Sequence, residues 1–583
     1  MLSFFRIVLA SIVGLIIFSI IAILIVAGII AAASADREVK IADNSVLHLK
    51  LDKPIVERGV DDPFASLQLL GADGSIGLIE LKDAIRHAKG DDKIKGIYLQ
   101  SQFVNAGFGT LQEIRDALLD FKTSGKWIYG YGEMMSESDY YLLSAADDIT
   151  LNPQGILEFN GLSAELTFIK GTLDKLEIEP EIFRVGEFKS AVEIFTREDM
   201  SPENREQVSS YINSIYNEYL KNVSETRNIK MSSLKNISDS MLVRTATDAE
   251  RFDLVSRLAY EDEIFFELRQ KLGMEKDKKI PLVELGKYRR SYKSSGTSRN
   301  RVAVIMANGN IVSGEGDNNN IGSDKFAAEI RRARLDDKVK ALVIRINSPG
   351  GSAIASDVIW REIVLARQKK PVIASMSDYA ASGGYYLAMG CDTIVAQPTT
   401  ITGSIGIFSM LFNVKDFLNS KLGITTDVVK TGHFSDIFTI TRSLSDFERQ
   451  IIQKGVDERY EVFVGKAAEG RNMNIEEIKR NASGRVWSGI EAKERNLVDV
   501  LGGLDDAISL AVKAAGVEDD YRVTYLPRQK TFLEQLMSGL GGDIQTRILQ
   551  FQLGEYFPYV MKIKQLQEYE GIQARLPFHL EIK

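Results

Sequence analysis

The sequence predicts an α/β protein in which one fold occurs twice, preceded by a membrane-spanning helix. Three observations predict this. An uncharged apolar run lies near the N-terminus, several motifs return at a nearly constant spacing, and strand-like segments alternate with helix-like ones.

The apolar run comes first in the chain. Residues 7–35 carry no charged side chain, and a spanning helix needs only about 20 apolar residues. A cleavable signal peptide has a shorter apolar region of about 7–15 residues, so residues 1–36 read as a retained anchor lying in the lipid bilayer through residues 7–35. Ala33-Ser34-Ala35 resembles a cleavage site and keeps cleavage open as the lesser alternative. Arg6 and the terminal amine precede the run, and the positive-inside rule then places the rest of the chain on the outer face.

The repeat explains the length. At 583 residues the chain exceeds one ordinary domain of roughly 100–200 residues. Asp91-Asp92-Lys93-Ile94-Lys95 returns 245 positions later as Asp336-Asp337-Lys338-Val339-Lys340. Tyr140-Tyr141-Leu142, Pro153 and Gly161 return at the same distance as Tyr385-Tyr386-Leu387, Pro398 and Gly406. Ser201 and Arg227-Asn228 return 244 positions later as Ser445 and Arg471-Asn472. Residues 45–260 and 301–515 are therefore two copies of one fold. Residues 261–300 read as a connecting segment ending in a basic, serine-rich linker, and residues 516–583 as a C-terminal tail.

Within the second copy, strands are expected at 302–306, 341–346, 371–375 and 391–395, with helices at 323–333 and 355–367 and another starting near Ser382. The apolar runs within them, such as 341–344, are short, as in a parallel sheet covered on both faces. A long helix closes each copy. Ser201 caps the first, with Pro202 at its opening position, and Ser445 opens the second.

Composition excludes several functions. The net charge is −8, so no basic field favours nucleic acid. A single cysteine, Cys391, rules out an internal disulfide, and four scattered histidines supply no metal-binding pattern. No cofactor is implied. Cys391 reads as a small buried hydrophobe.

Differences between the copies point to the chemistry. The second copy runs from a strand into Asn347-Ser348-Pro349-Gly350-Gly351-Ser352, a glycine loop that frees backbone N–H groups for a ligand. The first copy has Phe103-Val104-Asn105-Ala106 there. Ser382 sits among small residues in Asp378-Tyr379-Ala380-Ala381-Ser382-Gly383-Gly384, whereas the first copy has Glu137, which reads as a solvated carboxylate. Conversely, Lys189 of the first copy aligns with Ser435 of the second. One copy holds a lysine and the other a serine and a glycine loop, which suggests one composite site. His433 is the rival base, but it aligns with Glu187 and not with the lysine. Each residue alone has a plainer reading: a turn for Ser382, Ser404 and the glycines, a solvated surface for Lys189. It is their combination that favours catalysis. Phe188, Val192 and Phe195 could give the lysine the apolar surroundings that depress an amine pKa.

Four stretches carry a resemblance: INSPGGS at 346–352, DYAASGGYYLA at 378–388, TGSIGIF at 402–408 and VGEFKSAVEIFTREDMSP at 185–202. Together they resemble the signal peptide peptidase A family in its long, duplicated, membrane-anchored form. The resemblance reaches to about residue 515. It implies a tandem duplication of a Clp protease/crotonase-like fold and a serine protease with a Ser–Lys dyad. In that family's pattern Ser382 is the nucleophile, Lys189 the general base and Ser404 a residue that orients the lysine. Gly350 or Gly351, with Gly383, would form the oxyanion site. The implied substrates are residual signal peptides and other short apolar peptides. The implied setting is the outer, periplasmic face of the bacterial cytoplasmic membrane, in a homo-oligomer that is a tetramer in the family. A catalytically silent, membrane-associated scaffold or peptide-binding protein is the alternative, and a crotonase-like acyl-CoA enzyme a third reading. The tail carries amphipathic stretches at 532–540 and 544–553, which suit packing on its own domain, on a neighbouring subunit or on lipid.

Overall fold

The computed structural model describes residues 39–59, 74–292, 296–317, 320–528 and 571–576, together with part of 6–21. The expected anchor at 7–35 and the amphipathic stretches at 532–553 fall largely or wholly outside the described residues. Among the described residues, no helix is long and apolar enough to cross a membrane.

Each copy is a parallel sheet flanked by helices. The first sheet runs Arg257–Leu258, Asp148–Leu157, Trp127–Met135, Ile94–Ser101, Ser45–Leu51, Leu282–Glu284. In the second, the corresponding central order is Val372–Ala381, Val339–Ser348, Arg301–Asn308, Arg522–Leu526. The repeat extends to fine detail. The ladder slips by one residue between Ser45 and Val46 in one copy and between Arg301 and Val302 in the other.

The apolar runs are buried on both faces, as their sequence requires. Leu342, Ile344 and Ile346 pack against Ile359 and Ile363 of helix Ala353–Arg367. The alternate residues Ala341 and Val343 pack against Leu504, Ala507 and Ala511 of helix Leu504–Ala515. The period of two along the strand serves two helix layers.

The long helices are Pro202–Arg227 and Asp446–Arg471. Ser201 Oγ accepts from Asn204 N at 3.1 Å, and Ser445 forms a capping box with Glu448. The repeated Arg-Asn pairs mark the other ends, where Asn228 and Asn472 adopt left-handed φ of 56° and 51°.

Two expected boundaries need correction. Residues 261–300 are not merely a connection, because helix Glu261–Lys271 packs on the first sheet and strand Leu282–Glu284 pairs with Ser45–Leu51. Likewise the second copy does not stop at 515, because Arg522–Leu526 pairs with Arg301–Asn308. Both strands sit on a sheet edge, and their short, charge-flanked sequences carry little periodicity of their own.

The copies are locked together by a buried ion cluster. Arg345 of the second copy is fully buried; its Nε lies 3.0 Å from Glu57 and its Nη1 2.7 Å from Glu113, both from the first copy. Lys82 completes the cluster on Glu113. Burial alone would raise the Glu113 pKa, but Arg345 and Lys82 outweigh it and hold the carboxyl below its ordinary value.

A third sheet joins the copies at the site. Its order is Asn320–Gly322, Asn310–Val312, Gly350–Ser352, Gly571–Arg575, Phe408–Asn413, Glu179–Arg184. The last strand belongs to the first copy and leads directly into the loop that carries Lys189.

Candidate active site

Ser382 lies between strand Val372–Ala381 and helix Gly383–Ala388 with φ 54° and ψ −110°. A non-glycine residue reaches this region only when its surroundings impose it. Here Ser382 N donates to Gly403 O at 2.8 Å, and Ser382 O accepts from Tyr386 N at 2.8 Å. The following position leaves little room for a side chain, since a Cβ on Gly383 would stand 2.7 Å from Ser356 Oγ and 3.1 Å from Gly350 Cα.

Lys189 arrives from the first copy and is fully buried. Its Nζ lies 2.9 Å from Ser382 Oγ, 3.1 Å from Ser404 Oγ and 3.3 Å from Ser404 O. The Phe408 ring centre is 5.9 Å from Nζ. Val192 and Phe195 pack into one apolar cluster with Phe408 and Met410, while Phe188 is half-buried beneath the Arg485 guanidinium. Backbone crowds the stem, because a Cβ on Gly484 would come within 2.6 Å of Lys189 Cβ. None of the hydrogen bonds or ion pairs of the Lys189 amine reaches a carboxylate among the described residues. Burial therefore depresses its pKa well below the ordinary lysine value.

Ser404 bonds the lysine twice and is itself held by Ser404 N donating to Arg485 O at 2.7 Å. The glycine pair is asymmetric. A Cβ on Gly350 would stand 2.7 Å from Gly383 N, whereas one on Gly351 would strike Ile311 O at 2.1 Å. Gly350, with φ 102°, thus borders the start of the serine helix, and Gly351 packs against the neighbouring strand. Gly350 N donates to Ser348 Oγ at 3.1 Å.

The structure brings Ser382, Lys189, Ser404, Gly350 and Gly383 together. His433 lies in an exposed turn with its ring against Phe434, away from this group. Glu137 is not a solvated carboxylate: it is buried and accepts from Asn160 N at 2.8 Å and Gly161 N at 2.7 Å, with burial raising its pKa. The first copy thus uses the serine position for a structural anchor. Cys391 is buried, and burial pushes its thiol pKa up. Phe408, Gly406 and Gly484 were not evident as lysine-lining residues. Only the TGSIGIF stretch hinted at the first two. Among the described residues, no cluster of His, Cys, Asp or Glu is placed to hold a metal ion.

Beside the serine, strands Gly350–Ser352 and Phe408–Asn413 hold strand Gly571–Arg575 between them. The molecule is a serine protease. The sequence profile of peptidase family S49 matches residues 120–275 and 365–518, once in each copy, and the chain belongs to this family, in its signal peptide peptidase A group. It is 36% identical over 513 residues to the chloroplastic serine protease SPPA of Arabidopsis thaliana, covering 86% of this chain and 74% of that protein. It is 38% identical over 480 residues to protease 4 of Salmonella typhi, covering 81% and 77%. A solved membrane-bound stomatin-specific protease with a substrate peptide aligns at 19% identity and a TM-score of 0.27, covering 41% of this chain and 97% of that one; this likeness is too distant to carry an argument.

Proposed function

We propose that the chain is a membrane-anchored serine endopeptidase that hydrolyses residual signal peptides and other short apolar peptides, with Ser382 as nucleophile and Lys189 as general base. The observation that carries the reading is the 2.9 Å approach of the buried Lys189 amine to Ser382 Oγ. The neutral amine takes the Ser382 proton as Oγ attacks the peptide carbonyl. Gly383 N–H, with the Gly350 backbone beside it, stabilises the oxyanion, a contribution worth roughly a hundredfold to a thousandfold per donor. The lysine then returns the proton to the leaving amine, and water repeats the sequence on the ester. Ser404 holds the amine in line through these proton transfers.

Each copy is read as Clp/crotonase-like. The uncharged run at 7–35 anchors the protein in the bacterial cytoplasmic membrane with the catalytic body on the outer face, as a homo-oligomer, with the tetramer of the family expected. The reading is tested with a serine-reactive probe and an apolar reporter peptide, applied to wild type, Ser382→Ala and Lys189→Ala. Labelling at Ser382 that disappears with Lys189 is expected. Undiminished hydrolysis in either variant would overturn the dyad.

A further inference from the structure

The turn that carries Lys189, residues 185–189, has no helix or strand of its own. Its place is set by other parts of the chain, and one side chain reaches both residues that flank the lysine. Gln207, on helix Pro202–Arg227, is fully buried. Its Nε2 donates to Phe188 O at 3.1 Å and to Ser190 Oγ at 2.7 Å. The carbonyl of Phe188 belongs to the peptide group that leads into Lys189.

The other end of the same amide holds the serine side of the site. Gln207 Oε1 accepts from Val486 N at 3.2 Å. On the far side of that peptide group, Arg485 O accepts from Ser404 N at 2.7 Å. Strand Val486–Ser488 pairs with Ile401–Gly403, and Gly403 O accepts from Ser382 N at 2.8 Å. One amide therefore joins the peptide group before Lys189 to the peptide group that holds Ser404.

Chemistry fixes which way the amide faces. A carbonyl can only accept and a backbone N–H can only donate, so Nε2 must meet Phe188 and Oε1 must meet Val486. A second chain of bonds supports this from behind. Asn204 Nδ2 donates to the buried Glu193 carboxylate at 3.0 Å, which turns Asn204 Oδ1 toward Gln207 Nε2 at 3.1 Å. The repeat supplies a comparison. At the spacing of 244 that matches Ser201 with Ser445, Gln207 falls on Ile451. Ile451 is 44% exposed. The copy that lacks the lysine thus lacks the amide as well.

We infer that Gln207 is a positioning residue, which ties the Lys189 turn to the Ser404 strand and so sets the approach of Lys189 Nζ to Ser382 Oγ. This rests on the Ser382–Lys189 reading above. Gln207 bonds neither Ser382 nor the lysine amine and acts through the two peptide groups. A shift of the peptide before Lys189 is carried along the four-carbon stem to Nζ, and a misplacement of about 1 Å can cost roughly a hundredfold in rate.

Reporter-peptide hydrolysis across a range of pH tests this on the full chain in detergent. Gln207→Met and Ser190→Ala are measured beside wild type and Lys189→Ala. Methionine keeps an unbranched side chain without either polar end of the amide, and Ser190→Ala removes one acceptor of Gln207 Nε2. Gln207→Met should lower kcat about tenfold to a hundredfold with KM within about twofold. The acidic limb of its profile should move to higher pH, because a loosened amine meets water and regains ordinary basicity. Ser190→Ala should change both in the same direction by less. A smaller folded fraction alone would scale the rate at every pH and leave the limb in place. A limb unmoved in every variant that folds would overturn this inference, as would a folded Gln207→Met with the kcat of wild type. In both cases an inactive Lys189→Ala leaves the dyad standing. An active Lys189→Ala would overturn the dyad, and this inference with it.

Discussion

Lys189 Nζ and Ser382 Oγ stand 2.9 Å apart although 193 positions and two copies of the fold separate them. The contact exists because strand Glu179–Arg184 leaves the first copy and pairs with Phe408–Asn413 of the second. That pairing delivers the following loop to the serine. On the proposed Ser382–Lys189 reading, each copy supplies one of the two groups and neither holds a complete site.

Activity should follow the protonation of Lys189. Burial depresses its pKa well below the ordinary 10.5, so the amine is uncharged and competent as a base at pH values where a free lysine is charged. The kcat/KM profile should therefore lose its acidic limb well below pH 10.5. Lys189→Arg should be inactive at every pH tested, because a guanidinium stays charged. A profile whose limb coincides with a free lysine would contradict the assignment.

The same residue should cost stability. Between the depressed folded pKa and the ordinary unfolded one, the unfolded chain binds the extra proton, so stability rises with pH across that window. Lys189→Met removes this penalty. Its melting temperature should exceed that of wild type at neutral pH, and the difference should shrink as pH approaches the ordinary lysine value. Calorimetry at several pH values checks the sign.

Ser404→Ala should lower kcat with little change in KM. The variant removes one acceptor of the lysine amine, the hydroxyl at 3.1 Å, and leaves Ser404 O in place. A lost hydrogen bond of about 1 kcal/mol corresponds to roughly a fivefold slower reaction. An effect confined to KM would argue against an orienting role.

Gly350→Ala should abolish turnover without unfolding the protein. Its φ of 102° strains any side chain, and the new methyl would stand 2.7 Å from Gly383 N, in the space assigned to the oxyanion. A loss of at least about a hundredfold in kcat is expected. Circular dichroism and melting curves would show whether the fold persists.

Arg345→Met should destabilise the protein strongly. It leaves Glu57 and Glu113 buried without their shared cation, and breaking a buried pair this way costs about 3–5 kcal/mol. Urea titration should show the loss. Because Arg345 joins the two copies, reporter hydrolysis should fall at lower urea than in wild type.

Several features are local and were therefore legible in the chain itself. Ser201 and Ser445 announce helix starts, and the short apolar runs at 341–344 and 372–374 mark the buried strands. The repeated spacing even assigned Lys189 and Ser382 to different copies. Glu137 was misread because its neighbours in sequence are polar, while the backbone N–H groups of Asn160 and Gly161 that bury it lie in another loop.

By itself, then, the sequence determined the duplicated α/β architecture and the residue types of the composite site, since propensity, capping and turn chemistry act within a few residues. Tertiary structure decided what depends on distant partners: the three-residue strand Leu282–Glu284 in the first sheet, the Phe408 ring beside the Lys189 amine, and the seating of Ala574 next to Gly350 and Gly383. A short edge strand has no pattern strong enough to name its neighbour. Its place is set by unpaired backbone groups that only the folded sheets present.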